Sequence, residues 1–142
     1  MLYAVLCYHD ENLVWSWSKE EEDALMGKIG AVRGRLTAQG KLGASLRLMP
    51  TTAATTLHKT QEPPLVIDGP FAETKELIAG FWMWQVKSRE EAIEWLKRAP
   101  FDGGTEVEIR QVFETADFAP SDPTGDLRAA EDRLRSQIAA KK

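Results

Sequence analysis

Cysteine is nearly absent from this chain of 142 residues, in which Cys7 is the only one. A single thiol excludes an intramolecular disulfide framework and a zinc site built from several cysteines, and it favours a reducing, cytoplasmic setting. Long apolar runs are also missing, because residues 1–8 and 78–84 are far shorter than the roughly 20 residues of a membrane span. The strand-like start at Met1 does not resemble a signal peptide, so we expect no membrane association.

An excess of positive charge is missing as well, since 18 basic residues stand against 22 acidic ones and the net charge is −4. Without a positive field, binding to nucleic acid is not expected. We predict neither a metal site nor a cofactor. The charge is unevenly distributed, with +2 in residues 126–142 and −6 in the remainder.

Apolar residues alternate or recur in ways that predict an α+β fold. Ser18 and Glu21 form a capping-box pattern at the start of a helix that ends near Gly40. Ser88 and Glu91 repeat the pattern for a shorter helix that stops before Pro100. Strands are expected over 2–9, 42–49, 52–59, 65–67, 78–86 and 105–113.

The order of these elements predicts a ferredoxin-like sheet with two crossover helices. We expect the strands of 42–49, 52–59 and 65–67 to form one meander, and the apolar strand of 78–86 to be covered on both faces. Residues 1–114 would be the core domain. Residues 115–142 would add a linker and a C-terminal amphipathic helix, which we expect to pack on the domain or on a partner.

The most unusual local sequence runs from Asp68 to Glu76 and reads DGPFAETKE. Asp-Gly-Pro is turn chemistry, because glycine tolerates a positive φ and proline fixes its own φ. The carboxylates and the amine that follow are also suited to acid/base work or to holding a polar ligand. The residues alone leave a structural turn and a functional site equally open.

This nine-residue stretch resembles the signature of the YCII-related family, in its DGPF subgroup. Residues 52–56, 79–81 and 107–110 are similar to the family as well, so the resemblance covers about residues 1–114. It implies a dimeric α+β barrel in which two ferredoxin-like sheets face each other, with a small-molecule pocket between sheet and loops. It also implies that some relatives act on small ring compounds and that DGPF members occur beside sigma factors.

The chain departs from the family in two positions. Relatives with a proposed catalytic pair carry a histidine on the first helix and an aspartate before the proline that follows the second helix. Here residues 18–39 contain no histidine, and Ala99 precedes Pro100. That pair is therefore not carried over.

His9 is the substitute, because imidazole titrates near neutral pH and can act as a general base beside Asp68. The alternative is a partly exposed histidine at the end of a strand. If the strands of 2–9 and 78–86 ran parallel, about 26 Å would separate His9 from Asp68, at about 3.3 Å per residue. They would then meet only if the 68–76 loop folded back or if a partner subunit supplied one of them.

The candidate residues are compatible with two hypotheses of function. Arg110 would either face water or line the pocket of a barrel, where it would need a carboxylate or a bound anion. The first hypothesis is a homodimer that binds or transforms a small polar or cyclic metabolite by acid/base chemistry. The second is a noncatalytic regulatory or interaction module. The catalytic residues would be His9 and Asp68, and the binding residues Phe71, Glu73, Lys75, Glu76 and Arg110.

Overall fold

The computed structural model describes residues 1–71, 76–101 and 105–141, with Glu76 described by its backbone alone. The strands are β1 (Leu2–Asp10), β2 (Leu42–Arg47), β3 (Thr55–His58), β4 (Leu65–Asp68), β5 (Glu76–Gln85) and β6 (Glu106–Gln111). The helices are α1 (Glu11–Trp15), α2 (Lys19–Ala38), α3 (Arg89–Arg98) and α4 (Asp126–Ala140). Two 3-10 segments are Thr51–Ala53 and Thr115–Ser121. The chain is therefore an α+β protein.

Four strands form one sheet in the order β2-β5-β1-β6, and each neighbouring pair is antiparallel. The expected parallel arrangement of β1 and β5 is therefore wrong. Antiparallel pairing places Glu76 opposite Asp10 and Leu77 opposite His9. The 68–76 segment thus ends beside the last residues of β1, so the separation of about 26 Å that parallel strands would impose does not apply.

The expected meander is also different in the structure. β2 pairs with β5 in the four-stranded sheet, whereas β3 and β4 form a separate antiparallel hairpin. A hairpin of two short strands buries little surface, and every residue of β4 is exposed. Another difference is α1, which stands where a loop was expected because Asp10 caps it by accepting a hydrogen bond from the Asn12 amide.

The core lies between one face of the four-stranded sheet and the two helices α2 and α3. Strand register places Tyr3 opposite Trp84 and Val5 opposite Trp82, so these four side chains share that face. Ile78, on the other face, is 42% exposed, so the expectation that this strand is covered on both faces is wrong for the single chain. The buried cluster consists of Tyr3, Val5, Val32, Leu36, Trp82, Trp84, Val86, Ala92 and Trp95.

The start of the C-terminal helix is held by a buried carboxylate just before it. Asp122 is only 3% exposed, and it accepts hydrogen bonds from the Leu127 and Arg128 amides and from the Arg128 guanidinium. These bonds lower the pKa of Asp122, with the Arg128 amide as the largest cause. In contrast, the apolar stripe of α4 is largely open, because Leu127 is 66% and Ile138 57% exposed.

Candidate functional site

A cavity of about 150 Å³ lies between the core face of the sheet and α2. On the sheet side it is lined by residues of three strands, among them Cys7, His9, Arg47 and Gly80. The helix side is one face of α2, since residues 22, 25, 26, 29 and 33 recur every three or four positions. Its apolar walls are formed by Val14, Trp17, Leu25, Met26, Ile29, Trp82 and Phe101. We call this space the inner cavity.

A wider groove of about 430 Å³ adjoins the inner cavity, and we call it the outer groove. Both spaces are lined by His9, Val14, Arg47 and Ala79. The remaining lining residues of the outer groove are Glu11, Trp15, Leu48, Met49 and Pro50. His9 and Arg47 therefore stand where the two spaces meet.

His9 is half-buried at the end of β1. Its Nδ1 lies 3.3 Å from Oγ1 of Thr105, and its ring packs edge-on against Trp17 with 6.1 Å between ring centroids. Burial is the main cause that lowers the pKa of His9 below its ordinary value of 6.5, and the charge of Arg47 adds to it. The imidazole is therefore neutral at pH 7, which is the form that can accept a proton.

Arg47 ends β2 and is held by α2. Its Nη1 donates to Oε1 of Glu22 at 3.0 Å, and the side chains of Arg47 and Glu22 are 63% and 49% exposed. An ion pair this exposed contributes about 1 kcal/mol or less, because water screens both charges. Glu11, the carboxylate of the outer groove, accepts hydrogen bonds from the amide and the hydroxyl of Thr51.

Cys7 contributes an uncharged part of the wall. Burial raises the pKa of its thiol to about 11, because a thiolate is unfavourable in apolar surroundings. The side chain is therefore a protonated thiol at neutral pH. It lines the inner cavity as a small apolar group.

The β5 side of the inner cavity is shaped by a bulge and a glycine. Cys7 pairs with Gly80 and Tyr8 pairs with Ile78, so Ala79 is an extra residue in β5. A Cβ on Gly80 would lie 2.6 Å from the Leu46 carbonyl oxygen, so only glycine allows β2 to approach so closely. β2 is thereby held where Arg47 reaches the mouth of the inner cavity.

The other predicted site residues lie elsewhere. Asp68 ends β4 and is not among the described residues that line the two spaces. Gly69, at φ +110, donates to the Ala54 carbonyl and accepts from Thr56, so this part of the motif extends the pairing of β3 and β4 by one position beyond Asp68. Phe71 is 82% exposed. Glu73, Lys75 and the side chain of Glu76 lie outside the described residues.

Arg110 lies on the opposite face of the sheet from the inner cavity. Its partner in β1 is Ala4, whereas the cavity-facing residues of β1 are Cys7 and His9. Its Nε is 3.6 Å from Oε1 of Glu108, and its side chain is 70% exposed. In the single chain the Arg110 guanidinium is therefore in solvent.

Sequence reasoning did not find Glu22, Arg47 or Trp17. Glu22 and Arg47 are 25 positions apart, and they meet because α2 packs against β2. The available signal was weak, since Arg47 is a charged residue at the end of a strand. Within residues 1–71, 76–101 and 105–141, no group of three or more His, Cys, Asp or Glu side chains could hold a metal ion. None of the described helices is long and apolar enough to cross a membrane.

Comparison with known proteins gives two findings. The sequence model of the YCII-related domain matches residues 1–116. An uncharacterised protein of Rhizobium meliloti (strain 1021) is 47% identical over 97 residues, which is 68% of this chain and 78% of that protein. The described lining residues of the inner cavity and of the outer groove all lie within the matched range.

Proposed function

Because this chain belongs to the YCII-related domain family, we propose that the inner cavity and the outer groove form a site for a small polar or cyclic metabolite. The site would transform its ligand by acid/base chemistry, with His9 as the catalytic base. The observation that carries this proposal is the position of His9. It is a half-buried imidazole with a lowered pKa, and it lies in the wall shared by the two spaces.

The local geometry supports one direction of proton transfer. We assign to His9 the tautomer that carries its hydrogen on Nδ1, where it donates to Oγ1 of Thr105. Nε2 is then the unprotonated nitrogen and can accept a proton from an acidic C–H or O–H of the ligand. The electron pair of the broken bond stays on the ligand. Arg47 then attracts the negative charge that develops there, as a fixed cation does in other sites of this kind.

The proposal is tested with cyclohexanone, a single-ring ketone whose α-hydrogens exchange with solvent through an enolate. The full chain is incubated with cyclohexanone in D₂O near neutral pD, and deuterium uptake is followed by mass spectrometry. We expect the chain to accelerate exchange, and His9→Gln to reduce the acceleration about 100-fold or more.

The matched control is His58→Gln, since His58 is the other histidine of the chain and lies exposed in β3. It should retain the full rate. Exchange that is equally fast in wild type and His9→Gln would show that His9 is not the base. If the wild type exchanged deuterium into cyclohexanone no faster than buffer alone, the proposal that the site catalyses proton transfer from ring ketones would be wrong.

We propose further roles for the signature segment. Residues 68–76 support assignment to the DGPF subgroup, because all nine residues agree with its signature. Asp68 would be the second catalytic residue if a partner subunit supplies it to His9. The remaining proposed ligand-binding residues are Phe71, Glu73, Lys75, Glu76 and Arg110. Arg110 would take part only in a barrel pocket on the other face of the sheet.

The assembly proposed for this function is a homodimer of the α+β barrel type with a ferredoxin-like sheet in each subunit. Leu6 and Phe81 are paired on the face that lies opposite α2 and α3, where Ile78 is exposed. A second sheet would cover these apolar side chains. In light scattering we expect a dimer for the wild type and for Lys28→Glu on α2, and a monomer for Leu6→Glu. If the wild type were a monomer at micromolar concentration, the proposed barrel dimer would be wrong.

The competing function is a noncatalytic regulatory or interaction module, such as one linked to sigma-factor control. The observation that favours it is the exposed hairpin, in which Val66 is 62% exposed and is followed by Phe71 at 82%. Apolar side chains exposed together often mark a protein contact. This function would be preferred if His9→Gln left cyclohexanone exchange unchanged while Val66→Glu altered the assembly of the chain.

A further inference from the structure

The charges around the inner cavity differ in sign from the charge of the whole chain. Glu22 is the acidic residue of its lining, whereas Arg33 and Arg47 are basic and His9 is neutral. The described lining therefore carries one net positive charge, in a chain whose net charge is −4. An anionic ligand is favoured at this position over a neutral one of the same shape.

Arg47 is the cation that a ligand can reach, because it lines both the inner cavity and the outer groove. In the unliganded chain its guanidinium is held by Glu22. Both side chains are about half exposed or more, so the pair is weak and can be replaced by another carboxylate at little cost. A guanidinium also offers more than one N–H, so it can bind a ligand carboxylate through two parallel hydrogen bonds.

The apolar part of the inner cavity sets the size of the ligand. Its volume of about 150 Å³ is close to that of apolar protein cavities that take up a single benzene ring. Trp17, Trp82 and Phe101 offer faces and edges for such a ring. A ring held there has its substituent at the mouth, where His9 and Arg47 stand.

We propose that the site takes a small-ring carboxylate, whose ring occupies the inner cavity and whose carboxylate binds Arg47 by displacing Glu22. This inference rests on the proposed function, since it names the ligand class of the same site. Glu22 is then a specificity-determining residue. It competes with the ligand carboxylate for Arg47 and thereby weakens the binding of anions.

Two probes of matched shape test the inference: benzoate, which is an anion, and benzyl alcohol, which is neutral. Each is titrated into the full chain at neutral pH and constant ionic strength, and binding is followed by the fluorescence of the cavity tryptophans. We expect saturable binding of both probes, with benzoate about tenfold tighter because its charge-assisted hydrogen bonds to Arg47 are stronger than neutral ones.

The variants separate the role of Glu22 from a general effect on folding. Glu22→Gln should tighten benzoate binding about two- to fivefold, the range that corresponds to an exposed ion pair, and leave benzyl alcohol unchanged. Arg47→Gln should remove the advantage of benzoate. The matched control is Glu20→Gln, an exposed residue in the same first turn of α2, which should change neither affinity.

The outcomes are distinguishable from failure of the site itself. The carboxylate inference is overturned if benzyl alcohol binds and benzoate binds no more tightly, or if Glu22→Gln does not tighten benzoate binding. Either result would still be compatible with a site for ring ligands. If neither probe shows saturable binding, the site does not accept ring ligands, and the proposed function fails together with this inference.

Discussion

Arg47 and His9 line the same two spaces, and the guanidinium charge of Arg47 adds to burial in lowering the pKa of the His9 imidazole. The two effects differ in origin. Burial removes water from the imidazolium, whereas Arg47 repels it directly. Substitution of Arg47 therefore separates them.

The first prediction concerns the titration of His9. In wild type its pKa should lie below 6.5, and Arg47→Gln should raise it part of the way towards that value, because the effect of burial remains. The measurement is NMR of the imidazole ring protons as a function of pH, with the His58 resonances as an internal reference for assignment. An unchanged titration midpoint of His9 in Arg47→Gln would show that the charge of Arg47 does not affect the pKa of the imidazole.

The second prediction concerns stability and pH. The unfolded chain binds a proton on His9 near pH 6.5, whereas the folded chain binds it only at lower pH. The free energy of unfolding should therefore fall as the pH drops below about 6.5, until the folded His9 is protonated too. Urea unfolding from about pH 7.5 to about pH 5 should show a smaller decline for His9→Gln than for wild type. Parallel curves for the two proteins would contradict this.

The third prediction concerns Gly80. A methyl group there would lie 2.6 Å from the Leu46 carbonyl oxygen, so Gly80→Ala must push β2 away from β5. We expect a loss of about 1–3 kcal/mol in the free energy of unfolding, as for other overpacked sites. Urea unfolding measures it.

The matched control for Gly80 is Gly34→Ala. Gly34 lies in α2, and nothing is within 4 Å of the position its Cβ would take. This variant should gain about 0.5–1 kcal/mol, because alanine is the better helix former. If Gly80→Ala were as stable as wild type, the close approach of the two strands would not be a real constraint.

The fourth prediction concerns the attachment of α4. Asp122→Ala removes the acceptor of three hydrogen bonds from Leu127 and Arg128, so α4 should open more often. Amide hydrogen exchange of residues 126–140 should accelerate, while that of β1 should not change. Gln137→Ala, at an exposed position of α4, is the control. Slow exchange of α4 in Asp122→Ala would mean that other contacts hold the helix.

Much of the secondary structure could be predicted because it depends on local chemistry. The capping box of Ser18 and Glu21 is present as expected, with each group bonded to the other's backbone. At Ser88 only half of the expected pattern forms, since the Glu91 carboxylate accepts from the Lys87 amide instead. Such bonds span a few residues, so the sequence contains the information.

Strand pairing was harder to predict because it depends on distant partners. The apolar pattern of β5 marks a strand but gives no direction, and the expected parallel pairing with β1 was wrong. For the same reason β2 was assigned to a meander with β3 and β4. The prediction of the site was wrong for the same reason, since Arg47 comes near His9 only when β2 lies beside β5.

The bulge at Ala79 determines which side of the sheet the signature segment reaches. One extra residue reverses the alternation of the strand, so Leu77 shares the side of His9 and Ile78 points away. If the strand had no bulge and Ala79 paired with Tyr8, every side chain before Ala79 would change sides, and Ile78 would lie opposite His9. The bulge therefore sets the phase in which the preceding segment meets the sheet, independently of the identity of the residues in that segment.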